Sequence, residues 1–370
     1  LIDARADTHL WSNTYEGSLR DVFEIQDDIA ASVIPALEIE LLGTIPTTTE
    51  TDPEAYTLFL QGVYFYLQRT SEGLDLAVDH LQRSLAIDDS YAPAYISLAS
   101  AYMNQASTGQ RDYREAFELA TSAVDTALQL DPTNPYAHSA RAWIAFNYDR
   151  DYPKSAEHFR IARSLFPNSS VILANASTLA AHLGQLEESI RLVSRSIELN
   201  PTSSVAFGMR ARRLASIGKL DEAETDLAMA MQLSAGSGYY HGVRAQLRLL
   251  QDRPGDALED VKQMDDETLR LAVIAMARFD LGELDQSDAA IQVLHAGYAE
   301  AFPYNIAMAH AWRHEIDEAF EWLERAIDGG HSIYGIKIDP LLTALHDDPR
   351  WEPLLESLDL GDARVADIQL

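Results

Sequence analysis

His310 and His314 stand four residues apart, with Glu315 beside them. On a helix this spacing puts both imidazoles on one face, as two ligands of a zinc ion would be. The pattern is not His-Glu-x-x-His, and the sequence fixes no third ligand. We therefore read them as ordinary helix positions beside a turn. Ser216-Ile217-Gly218-Lys219 matches the S-x-x-K of penicillin-recognising enzymes. No Ser-Asp-Asn or Lys-Thr-Gly follows, so chance explains the match. No glycine-rich dinucleotide loop, P-loop or Gly-x-Ser-x-Gly elbow occurs. Asn168-Ser169-Ser170 and Asn175-Ala176-Ser177 match glycosylation sequons, short matches that carry little meaning by themselves. The 370 residues include no Cys, which removes thiol nucleophiles, disulfides, Cys-zinc sites and iron–sulfur clusters. The sequence calls for no metal, no cofactor and no catalytic residue in this stretch of chain.

The charge narrows the partner class. The 28 basic residues face 58 acidic ones, a net charge of −30. Such a surface repels nucleic acid and anionic lipid, so neither is an expected partner. At 47% hydrophobic residues the chain can nonetheless bury a core. No apolar run approaches the length of a membrane span, so direct insertion is not expected. No signal peptide is visible, and the chain begins with Leu1, which reads as part of a longer polypeptide. The charge is uneven: −16 over residues 1–133, +1 over 134–236 and −15 over 237–370.

The elements that would hold a site come from a repeat. Ser177, Ala211 and Ala245 follow one another at 34 residues, as do Ser189, Ala223 and Ala257, and Pro167 and Pro201. Small residues about twelve apart, recurring at 34, are the mark of the tetratricopeptide unit: helix A, turn, helix B. Ala142/Ser155, Ala275/Ser287 and Ala307/Ala319 are the same pair in other units. Gly62/Ala77 and Ala99/Ala120 carry insertions between the helices. Eight units follow over residues 52–328. The small residues are expected where helices cross closely. Gly184, Gly218 and Gly282 suit left-handed C-caps, and Asp221 and Asp285 are placed as N-caps of the following helices. The fold class is therefore all-α, a right-handed tetratricopeptide superhelix of about eight helix pairs. A short α/β remnant precedes it.

The ends differ. Residues 1–43 read as a β-hairpin around Arg5-Ala6-Asp7-Thr8 followed by an amphipathic helix. Residues 44–51 read as a linker, and 329–370 as short helices covering the last repeat. Leu1-Ile2-Asp3-Ala4-Arg5, Leu10-Trp11-Ser12 and the run from Asp21 to Ala30 are similar to the end of a TolB-like domain. Thr70-Ser71-Glu72-Gly73-Leu74, Asp149-Arg150-Asp151-Tyr152, Asp339-Pro340 and Asp347-Asp348-Pro349-Arg350-Trp351 extend that likeness along the chain. The whole resembles bacterial tetratricopeptide proteins with a TolB-like amino-terminal domain. The resemblance implies an effector upstream: a class III adenylate or guanylate cyclase, a winged-helix regulator or a kinase, often across a membrane span. It leaves cytoplasm against periplasm open.

In stacked units of this kind helix A lines the concave face. That register puts Trp143, Asn147, Thr178, His182, Arg212, Gln246 and Trp312 in a groove. Trp143 and Trp312 read equally well as core. The acids of helix B, among them Asp221, Glu224, Asp226, Glu259 and Asp260, are expected on the outside. Arg141, Arg210 and Arg244 share one place before the small residue of helix A. They are expected to lie along apolar surface and pair with helix B acids, rather than form a ladder for acidic ligands. The expected function is capture of a peptide or protein in the groove. Two alternatives stand beside it: the sensory region of a larger enzyme such as a nucleotide cyclase, and self-assembly as a homodimer through residues 1–43.

Overall fold

The computed structural model describes residues 50–234, 237–331 and 333–370, together with Ile2–Asp3 and Thr8–His9. Ile2–Asp3 (β1) pairs antiparallel with Thr8–His9 (β2), Ile2 opposite His9. The rest of residues 1–43, on which the TolB-like likeness, the amphipathic helix and the homodimer expectation fall, lies outside the described residues.

Eight helix pairs follow. They are α1 Pro53–Leu67 with α2 Ser71–Ile87, α3 Ala92–Ser107 with α4 Tyr113–Leu130, and α5 Pro135–Ile144 with α6 Tyr152–Leu165. Next come α7 Ser170–His182 with α8 Leu186–Leu199, and α9 Ser204–Ser216 with α10 Leu220–Leu233. Then α11 Gly238–Leu250 pairs with α12 Pro254–Asp260, α13 Glu267–Asp280 with α14 Leu284–Tyr298, and α15 Pro303–Trp312 with α16 Ile316–Asp328. The all-α tetratricopeptide class read from the sequence is the class observed. The chain divides into two compact units, residues 1–167 with the first three pairs and residues 168–370 with the other five.

Local chemistry explains the helix starts. Asn134 accepts from the amides of Tyr136 and Ala137, Ser169 from that of Ile172, and Asp266 from those of Thr268 and Leu269. Each side chain satisfies amides left over at a helix N-terminus. Asp221 and Asp285 do not cap. Lys219 and Glu283 hold the cap positions, and the two aspartates sit in the first turn. There a carboxylate complements the helix dipole without bonding to it.

The crossings are as tight as small residues allow. Ser177 Oγ donates to Ser189 O at 2.9 Å, and Ser189 Oγ returns a bond to Ser177 O at 2.8 Å. Ser155 bonds Ala142 O and Ser287 bonds Ala275 O across the same crossing in their own pairs. Alanine serves elsewhere, with Ala211, Ala223, Ala245 and Ala257 all buried. Every A-to-B turn passes through a left-handed residue. It is glycine in four turns, as at Gly184 (φ 80°), and Arg69, Arg150, Asp252 or His314 in the others. His314 is thus a turn residue, while His310 is buried and bonded to Glu315 and His295.

Residues 329–370 form 3-10 turns at Ile336–Ile338 and Pro340–Leu345, then α17 Trp351–Ser357 and α18 Asp362–Val365. Pro340–Leu345 packs on α15, and Arg350 pairs with Asp317 and lies over the Phe320 ring. The segment does more than cover the last pair. Ile336–Ile338 packs on α7, and Gln185 at the end of the first turn in this unit bonds Ile368 O.

Candidate functional site

The expected groove residues separate into three places. In the first unit, Trp143 and Asn147 are half-buried on α5 and the π turn Ala145–Asp149 that ends it. Asn147 Nδ2 donates to Trp143 O at 2.9 Å, and the Trp143 ring meets Phe146 edge-on. In the second unit, Trp312 stands apart, its indole N–H shared between the two Asp280 carboxylate oxygens at 3.0 and 3.1 Å. Burial raises the pKa of Asp280, and the indole bond works against that rise.

Thr178, His182, Arg212 and Gln246 lie together in the second unit, and the chain's own residues 333–339 run over them. We call this segment the strap. Tyr334 is its anchor. Its hydroxyl accepts from Arg213 Nη2 at 2.7 Å and donates to Thr178 O at 3.2 Å. Its ring stacks on His182 with centroids 5.8 Å apart and planes 9° from parallel. Gly335, left-handed at φ 77°, turns its amide towards His182 Nδ1 at 3.4 Å. At the far end Asp339 caps the turn that follows and accepts from the Tyr304 hydroxyl of α15 at 2.9 Å. Burial, then the neighbouring Asp339, pushes the Tyr304 phenol well above its ordinary pKa.

Two adjacent arginines on α9 face this strap. Arg212 keeps an exposed surface beside the strap. Burial opposes its charge there, and Tyr239, Asp339 and Tyr334 together more than offset that. Arg213 is 3% exposed. Its partners are Ser189 Oγ at 3.3 Å, Met209 O at 3.1 Å and Tyr334 Oη at 2.7 Å, all neutral. Burial lowers its pKa for that reason. Among the described residues, the other arginine buried in the core is Arg141, which pairs with Asp125 and Asp149. Beside the strap lies a cavity of about 60 Å³. Ala211, Leu227, Val243 and Leu247 of the helices and Ile338 and Pro340 of the C-terminal segment are among the residues that line it.

The arginines one place before the crossing residue behave as cross-braces. Arg210 grips Asp226 with two bonds of 2.6 and 2.7 Å, and Arg244 bonds Asp260 at 2.8 Å. Asp226 and Asp260 are consequently buried, at 6% each, and do not belong to an outer acidic coat. The cause is the arginine reaching across from helix A. Glu318, Glu321 and Glu324 of α16 are exposed, as expected.

Arg213, Tyr334 and Asp339 were not among the expected groove residues. Their sequence signal is local: Gly329-Gly330, Tyr334-Gly335 and Asp339-Pro340 mark a turn-rich segment with apolar residues between. Nothing local says which repeats it reaches. Among the described residues no cluster of three or more His, Asp or Glu could hold a metal. No described helix is long and apolar enough to cross a membrane.

No family model matches the chain. A protein of Rhizobium meliloti (strain 1021) named "Putative adenylate cyclase 3" is 30% identical over 167 residues. That match takes in 43% of this chain and 27% of the relative, so the chain spans about a quarter of that protein's length. Among solved structures, PilW, described as a type IV pilus biogenesis factor, aligns with 24% identity over 56% of this chain and 93% of its own, at a TM-score of 0.49. A tetratricopeptide repeat protein of Parabacteroides merdae aligns with 14% identity over 75% of this chain and all of its own (100%), at 0.47. The Cut9–Hcn1 structure aligns with 14% identity over 72% of this chain and 54% of its own, at 0.48. The fold assignment rests on the eight helix pairs themselves.

Proposed function

We propose that this chain is a protein-interaction module that holds a peptide or protein segment against helices A of its second unit. The observation that carries the reading is the convergence of Thr178, His182, Arg212 and Gln246 on a groove that already holds a turned stretch of the chain's own polypeptide. A surface that binds 333–339 through a stacked ring, a backbone carbonyl and an arginine has the chemistry to bind another peptide. The test is chemical cross-linking of the purified chain in an extract of its source. Arg212→Glu should reduce the yield of cross-linked partners at least about tenfold, and Glu259→Arg on the outer helix should leave it unchanged. Equal loss from both, or from neither, would remove the groove as the site. Trp143→Ala asks the same of the first unit.

A second reading has its own support: the chain as regulatory region of a larger nucleotide cyclase, favoured by the relative described as an adenylate cyclase. It is tested by assaying cyclase activity of the parent polypeptide with and without residues 53–328. Activity that neither rises nor falls on removal would dismiss it.

A further inference from the structure

We propose that the strap is an imperfect ligand of its own groove, and that a partner peptide binds by displacing it. This rests on the groove reading above. Three observations carry it. First, the strap is held by side-chain contacts and local turns rather than by a backbone ladder to the helices beneath it. Tyr334 and Gly335 bind α7 and α9, buried Ile336 packs on α7, Lys337 bonds Leu360 O and Asp362, and Asp339 binds α15. It joins α16 through Gly329 and a left-handed Gly330, a joint with little conformational resistance. Second, it leaves a pocket of about 60 Å³ lined by Ile338 together with Ala211, Leu227, Val243 and Leu247 of α9, α10 and α11. That is room for a larger apolar side chain than isoleucine, and unfilled space forfeits contact energy. Third, it gives buried Arg213 only a neutral hydroxyl. A guanidinium out of water favours a carboxylate.

The occupant follows from these defects. It is a peptide that takes the same 3-10 turn, with an aromatic hydroxyl in the place of Tyr334, a large apolar residue in the place of Ile338, and an acidic group able to reach Arg213. Such a peptide keeps each contact the strap makes and repairs both faults. The groove is therefore closed at rest and opens only to a ligand better matched than residues 333–339.

The experiment uses the full chain and a fluorescent synthetic peptide with the sequence of residues 331–341. Wild type should bind it weakly, because the tethered strap outcompetes a free copy. Tyr334→Ala with Asp339→Ala in the protein should loosen the strap and tighten peptide binding at least about tenfold, as fluorescence anisotropy reads it. A peptide with Ile338→Phe should bind more tightly again. If the double variant loses helical circular dichroism, Tyr334→Phe serves in its place with the same expectation at smaller size. A folded variant that binds the peptide no better than wild type overturns the proposal. That outcome leaves the groove reading intact if Arg212→Glu still abolishes partner capture. Tight peptide binding with partner capture unmoved by Arg212→Glu would preserve the strap and remove the groove's proposed role.

Discussion

Tyr334→Phe is the sharpest perturbation of the strap, because it removes one oxygen and leaves the ring. That oxygen accepts from the buried Arg213 at 2.7 Å and donates to Thr178 O at 3.2 Å. A bond to a charged, buried group contributes about 1.5–3 kcal/mol, and Arg213 has no carboxylate to fall back on. With about 1.4 kcal/mol per tenfold, opening of the strap should become roughly 10 to 150 times more frequent. Native-state hydrogen exchange reads this at the amides of Ile336 and Ile338, which bond Ile333 O at 3.1 Å and Gly335 O at 2.9 Å. Amides in the middle of α8 are the control and should not change. Arg213→Met should act differently. It removes the buried charge together with its need for a partner, so strap exchange should rise by less than about tenfold. If Tyr334→Phe leaves exchange at Ile336 and Ile338 within twofold of wild type, the hydroxyl does not hold the strap and the reasoning fails.

Three further outcomes are expected. His138 and His158 share an Nδ1···Nδ1 contact of 3.0 Å, and burial, then the His138 charge, pushes His158 down to about 4. The folded form then binds a proton less readily than the unfolded chain, so this stability is complete above pH 6.5 and falls as the pH drops towards 4. Discounted for the half-exposed ring it amounts to about 1–2 kcal/mol, and His158→Phe should flatten the melting-temperature profile across that window. Arg150→Gly relieves a left-handed residue at φ 54° and should stabilise the first unit by about 0.5–1 kcal/mol in urea denaturation. Asp226→Ala strands Arg210, which is braced by two bonds; unfolding should become about 3 kcal/mol easier, and Arg210→Met with Asp226→Leu should recover most of the loss.

The repeat was legible because its physics is local. Ser177, Ala211 and Ala245 must be small where helices cross, and that constraint recurs at a fixed spacing. The arginine braces were legible in outline for the same reason, since Arg210 and Arg244 recur with their crossings. Which acid they would bury was not, because the partner lies on the opposite helix and its neighbours Glu222 and Glu259 look alike in sequence. Asp221 and Asp285 misled because a helix start shifted by one or two residues turns a cap into a first-turn residue. The strap was illegible. Tyr334 meets Thr178 across 156 residues, and no period or motif encodes a contact made once. Within the proposed site, the repeat register names the helix A positions Thr178, His182, Arg212 and Gln246, and it equally named Trp143, Asn147 and Trp312, which lie apart from them. It does not name Arg213, Tyr334 or Asp339.

The measurement that bears most directly on the groove is a distance between the strap and α9. The chain has no cysteine, so Ile333→Cys on the strap and Val205→Cys on α9 can each take one spin label without background. Pulsed electron resonance should give a single narrow distance distribution for the resting protein. Excess peptide of residues 331–341 carrying Ile338→Phe should convert it to a broad, longer one. A narrow distribution that saturating peptide leaves unchanged, or a broad one before any peptide is added, would contradict the account.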